Sequence, residues 1–148
     1  MTPAWIAECR EGRNAARAGL LDEPMLQACG EIAGAKVVDC GCGEGRFSRM
    51  LLARQLPSAR DEYHVADVQD LSFLQHRSFD LAVSYLNQCD LLDWEANTRE
   101  VHRVLKRGGR LIVANLHPMR SAVGSWQPGG DGGAGPTSSF SFSKKIAS

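Results

Sequence analysis

The chain has 148 residues, the size of one ordinary domain. Lys+Arg and Asp+Glu number 17 each, so the formal charge at pH 7 is zero and no net field favours a nucleic acid or an anionic membrane surface. Five cysteines, at 9, 29, 40, 42 and 89, form an odd set without CxxC spacing, which argues against a disulfide framework and against a metal site.

The N-terminal stretch is charged throughout and lacks the apolar core of a signal peptide. No later run has the length of a membrane span, so a cytoplasmic protein is expected. Two helices are predicted first, over Trp5 to about Arg17 and Glu23 to Gly34, with Pro24 suited to a first turn and Gly34 to a C-cap. Lys36 to Cys40 is a short β-branched strand. It runs into the turn Gly41-Cys42-Gly43-Glu44-Gly45, after which Arg46 to Arg54 has the apolar spacing of a helix. Cys40 and Cys42 read as small apolar residues packed around that turn.

Tyr63 to Val68 is the next predicted strand, and Phe79 to Leu86 is a buried one. Asp93 is placed to cap a helix over Trp94 to Lys106, with Trp94, Val101, Val104 and Leu105 on one face and a stop at Gly108-Gly109. Arg110 to Leu116 is the last clear strand. From Pro128 the composition turns to Gly and Ser, too poor in apolar residues to offset its ordering entropy, and disorder is expected there. The alternation predicts an α/β fold with a Rossmann-like, mostly parallel sheet of about four strands flanked by helices. Its domain is expected over residues 1–118, with N-terminal helices about 4–34 and a core at 36–118, followed by a Gly/Ser-rich tail at 119–148.

A dinucleotide turn has the spacing G-x-G-x-x-G. Here it is G-x-G-x-G, with Arg46 where the last dinucleotide glycine would stand. Asp39 ends the strand beneath the turn, where a carboxylate disfavours a pyrophosphate and favours a cationic ligand. With "ADVQDLSF" at 66–73, "SFDLAVSYL" at 78–86 and "REVHRVLKRGGRLIVANLHP" at 99–118, the D-x-G-x-G-x-G turn resembles the class I S-adenosylmethionine-dependent methyltransferases of the small-molecule type. The resemblance implies S-adenosylmethionine as cofactor and a small-molecule acceptor. It implies that Asp39, Gly41, Cys42, Gly43 and Gly45 lie along its methionine and ribose part, that Asp67 and Val68 border the adenine, and that Ser84 borders the methionine moiety.

The resemblance also implies a second strand, ending in an acid that grips the ribose. A strand with its crossover helix needs roughly 30 residues, and only Arg46 to Glu62 lie between the turn and Tyr63. An internal deletion is therefore expected, and a C-terminal truncation relative to the family. One remedy is that Tyr63 to Val68 moves beside Val37 to Cys40, which would put Asp67 about 20 residues beyond Gly45, near the spacing of a ribose-binding acid.

Methyl transfer is an in-line displacement that asks mainly for alignment and exclusion of water. His117 and Tyr85 are the candidate general bases. Asn87-Gln88-Cys89-Asp90 is not the Asn/Asp-Pro-Pro-aromatic signature of nucleobase amino methylation, which with zero net charge disfavours a nucleic-acid substrate. Two readings follow: transfer of a methyl group to a small molecule, or a catalytically impaired remnant acting as a weak cofactor-binding or interaction module.

Overall fold

The computed structural model describes residues 17–115 and 140–146, with side chains over 19–115. A π-helical turn, Arg17–Leu21, leads into α1, Asp22–Cys29. Then come β1, Val37–Cys40; α2, Arg46–Leu52; β2, Arg60–Ala66; β3, Phe79–Tyr85; α3, Trp94–Val104; β4, Leu105–Ala114; and β5, Phe140–Ile146. Apart from its end, the first expected helix lies outside the described residues.

The sheet order is β2-β5-β1-β3-β4. β1, β3 and β4 are its parallel centre: Val37–Cys40 pairs with Leu81–Ser84, and Leu81–Tyr85 with Arg110–Ala114. The alternation of side chains along a strand divides the core in two. Val37, Leu81, Val83 and Tyr85 pack with Met25, Leu26, Phe47 and Leu51 of α1 and α2. Val38, Cys40 and Ala82 pack with Val101 and Val104 of α3 on the other face. Helices on both faces make the α/β sandwich that the sequence predicts.

At the other side of β1 the expectation changes. β5 pairs antiparallel with β1, setting Ser143 opposite Asp39, and antiparallel with β2, setting Ser143 opposite Tyr63. Two antiparallel pairings in succession leave β2 running in the direction of β1, with its carboxyl end on the same edge of the sheet. β2 pairs with no part of residues 36–40, so the idea that Tyr63 to Val68 fills the vacant place is eliminated. A segment expected to be disordered, 140–146, fills it instead; the rest of that expectation falls outside the described residues. The sheet accordingly has five strands rather than about four.

Three boundaries also differ, each for a local reason. α1 ends at Gly30 (φ 66), not Gly34, because Arg110 reaches across to donate to Ala28 O (3.2 Å) and Cys29 O (2.6 Å) and so satisfies carbonyls of the last turn. α3 ends at Val104 because the Arg103 and Val104 carbonyls accept from Arg77 N (3.0 Å) and Ser78 N (2.8 Å). The chain then enters β4 at Leu105, and residues 106–109 bulge between the Phe79–Leu105 and Leu81–Arg110 pairs, so Gly108-Gly109 lies within the strand. Asp93 caps α3 as expected, accepting from Ala96 N at 2.8 Å. Trp94, expected on the apolar face, is 53% exposed; Asn97 is the buried residue of that turn, donating to Val68 O at 2.8 Å.

Candidate cofactor site

The site grows out of the step from β1 to α2, at the carboxyl edge of the parallel strands, where open α/β sheets bind ligands. Gly41 (φ 75), Gly43 (φ 60) and Gly45 (φ 83) all take the left-handed backbone that side chains resist. Two of these glycines also admit a neighbour. A Cβ on Gly41 would lie 2.3 Å from Asn87 Cγ and Oδ1, and one on Gly45 would lie 2.7 Å from the Tyr63 hydroxyl. Burial pushes the Tyr63 phenol up to about 12, aided by the charge of Asp61 and its hydrogen bond.

Asp39 is 2% exposed, and its Oδ2 accepts from Ser48 Oγ of α2 at 2.6 Å. The carboxylate expected to face a ligand is thus anchored first to the helix that follows the turn. Burial, and then the charges of Asp39 and Cys42, push the Cys40 thiol far up, so it stays protonated. Cys42 is only partly buried, with Sγ 3.8 Å from Gly43 O.

Ser84 and Tyr85 end β3 on opposite faces. The Ser84 Oγ is buried and has no hydrogen-bond partner. Tyr85 stacks edge-on against Phe47, with centroids 4.8 Å apart, and its hydroxyl donates to Asp22 Oδ1 at 2.9 Å. Asp22 also receives Arg46, with Nη1 to Oδ1 at 2.9 Å and Nη2 to Oδ2 in close contact. This cluster ties α1, the start of α2 and the end of β3 together. With its hydroxyl committed to a carboxylate, Tyr85 is better suited to holding position than to accepting a proton.

Asp67 stands exposed at the same edge, just past β2, closing its own turn by accepting from Gln69 N (2.8 Å) and Nε2 (3.0 Å). Val68 is fully buried. With β5 between them, β2 is two strand spacings from β1, about 10 Å. Asp67 thus stands across the sheet from Asp39, although β2 reaches the turn through Tyr63, whose hydroxyl lies over Gly45. The structure gathers Asp39, Gly41–Gly45, Ser84 and Tyr85 at the carboxyl edge; Val68 shares the buried cluster of Cys40, against which Cys42 packs, and Asp67 stands exposed beside it. His117 lies outside the described residues.

Sequence reasoning passed over Asp22, Ser48 and Asn87. Asn87 is 3% exposed, with neither side-chain amide atom hydrogen-bonded. The only sign in the sequence was an amide two residues past the end of a buried strand. Among the described residues no group of His, Cys, Asp or Glu could hold a metal ion, and no helix is long and apolar enough to cross a membrane. Two cations at the turn are already engaged, Arg46 with Asp22 and Arg49 with Glu44, while buried neutral groups, Ser84 Oγ and the Asn87 amide, stand without partners. This set fits a cofactor without phosphate better than one bearing a pyrophosphate.

A family profile described as "Methyltransferase domain" matches residues 38–113, more than half of the chain. A malonyl-acyl-carrier-protein O-methyltransferase of Hamiltonella defensa is 29% identical over 124 residues, covering 70% of this chain and 47% of its own length. The corresponding protein of Erwinia billingiae is 30% identical over 114 residues, 64% of this chain and 45% of its own. A ubiquinone biosynthesis O-methyltransferase of Xanthomonas oryzae is 32% identical over 114 residues, 62% of this chain and 47% of its own. The chain spans about half the length of the curated relatives it matches. The first alignment runs over 124 residues yet takes up only 70% of these 148, so that relative carries residues inside the matched span that this chain lacks. No solved structure matches it significantly.

Proposed function

This chain belongs to the class I S-adenosylmethionine-dependent methyltransferases, and from that membership we propose that it transfers a methyl group from S-adenosylmethionine to an oxygen of a small-molecule acceptor. The observation that carries the reading is the Asp39-x-Gly41-x-Gly43-x-Gly45 turn at the carboxyl edge of β1, beside the unpartnered polar groups at and just beyond the end of β3. The choice of oxygen is supported by the relatives, which are named O-methyltransferases.

When bound, the cofactor supplies an electrophilic methyl group, and the chain's part is to bind, orient and keep water out. Asp39, Gly41, Cys42, Gly43, Gly45 and Ser84 border the methionine and ribose part in this proposal, while Asp67 and Val68, just past β2, serve the adenine. Tyr85 holds the wall of the acceptor pocket through Asp22. His117, three positions beyond β4 in the sequence, is the proton acceptor for a hydroxyl nucleophile. Titration calorimetry with S-adenosylhomocysteine tests the reading: saturable heat is expected, and none at about 1 mM ligand would sink it.

A further inference from the structure

We infer that Asn87 is the residue that recognises the α-amino-acid end of the cofactor, an assignment that rests on the reading proposed above. Asn87 follows Leu86, a non-glycine residue at φ 54, whose N–H donates to Ala114 O at 2.8 Å. A leucine in the left-handed region is strained, and such strain gathers where the backbone must aim a particular group. Here it turns the chain back at the end of β3, so that the Asn87 side chain lies over Gly41, where a Cβ would come within 2.3 Å of it.

The main-chain carbonyl of Asn87 is satisfied, accepting from Asp90 N at 3.0 Å. Its side chain is not: Oδ1 and Nδ2 are both buried without a hydrogen bond. Leucine has the same branched arrangement of four side-chain heavy atoms and would cover Gly41 without burying unpaired polar atoms. An amide in that seat is therefore explained by a ligand that supplies its partners.

The ligand chemistry follows from the amide itself, an acceptor and a two-proton donor side by side. An α-amino-acid group is its complement, with the ammonium donating to Oδ1 and the carboxylate accepting from Nδ2. The place agrees: Asn87 lies over the first glycine of the turn, at the edge where the end of β3 also leaves the Ser84 Oγ unpartnered, whereas Asp67 follows β2, beyond β5. With no protein hydrogen bond to break, the amide turns to an incoming ligand without losing one.

The test compares two probes on the full chain by calorimetry and thermal shift. S-adenosylhomocysteine carries the amino-acid end; 5′-deoxy-5′-methylthioadenosine has the same nucleoside and a thioether but lacks it. Asn87→Ala is expected to weaken the first about tenfold and leave the second unchanged. Asn87→Leu is expected to show the same selective loss, and it keeps the test alive should the alanine variant fold poorly. Equal losses for both probes, or none for either, with wild-type binding intact, overturn the Asn87 assignment alone. A wild-type chain that binds neither probe overturns the underlying reading and this inference with it.

Discussion

Asp22 is 5% exposed at a junction of three elements, accepting from Arg46 of α2 and from the Tyr85 hydroxyl at the end of β3. Removing one partner from such a node leaves the others buried and unpaired, which costs more than the pair itself contributes. The Arg46 side chain keeps 24% of its exposure, so water recovers part of that loss. Asp22→Ala is expected to lower stability by about 2–3 kcal/mol, and Tyr85→Phe, which deletes one hydrogen bond, by about 1 kcal/mol. Urea unfolding measures both, and an Asp22→Ala loss smaller than that of Tyr85→Phe contradicts the node. At this scale Asp39 and the glycines were legible because they are neighbours in the chain. Asp22 was not, because its partners lie 24 and 63 positions away and nothing in its own surroundings announces them.

The glycine turn is flanked by two elements that were read correctly, β1 and α2, and by a strand that was not foreseen. β5 contributes backbone to ladders on both sides, with Ser143 opposite Asp39 on one and Tyr63 on the other. Proline at 143 removes an N–H and stiffens φ inside a strand that has neighbours on both edges. Ser143→Pro is expected to lower Tm and to speed hydrogen exchange of the β1 and β2 amides together, whereas Ser143→Ala leaves both close to wild type. An unchanged exchange pattern in the proline variant would show that β5 does not join the two strands. The alternating Phe-Ser-Phe-Ser of 140–143 is itself a strand signal. The Gly- and Ser-rich stretch before it hid that signal, because composition was read over a longer window than the strand occupies.

Over the whole molecule, two carboxylates tie distant segments. Glu100 pairs with Arg103 at 2.8 Å and accepts from Leu71 N at 3.0 Å, and the Arg103 hydrogen bond, against some burial, holds its carboxyl below the usual range. For Asp80 burial acts upward, but the Lys106 ammonium at 2.7 Å and the Lys36 N–H at 2.9 Å outweigh it and leave the net direction downward. A carboxyl depressed on folding stabilises the fold above its unfolded value, and that contribution vanishes as pH falls through the folded one. Tm is therefore expected to hold from neutral pH to about 5 and to drop below about 4, near the unfolded carboxylate range. Glu100→Gln should be less stable at neutral pH and fall less steeply in acid; a parallel displacement of the whole Tm–pH curve would show that Glu100 contributes nothing to the slope.

What the sequence determined by itself is local: the β1–turn–α2 unit, the buried β3, the Asp93 cap and the family these motifs mark. Each rests on residues a few positions apart, so propensity, capping and spacing suffice to write it. Only the tertiary structure decided which strand lies beside β1, because pairing is made by backbone groups that any segment can offer, and the choice among partners is long-range. The same holds for Asn87. In the sequence it is one amide past the end of a strand. It becomes a candidate ligand contact only when the fold packs it against Gly41 and leaves its side-chain amide without a hydrogen-bond partner.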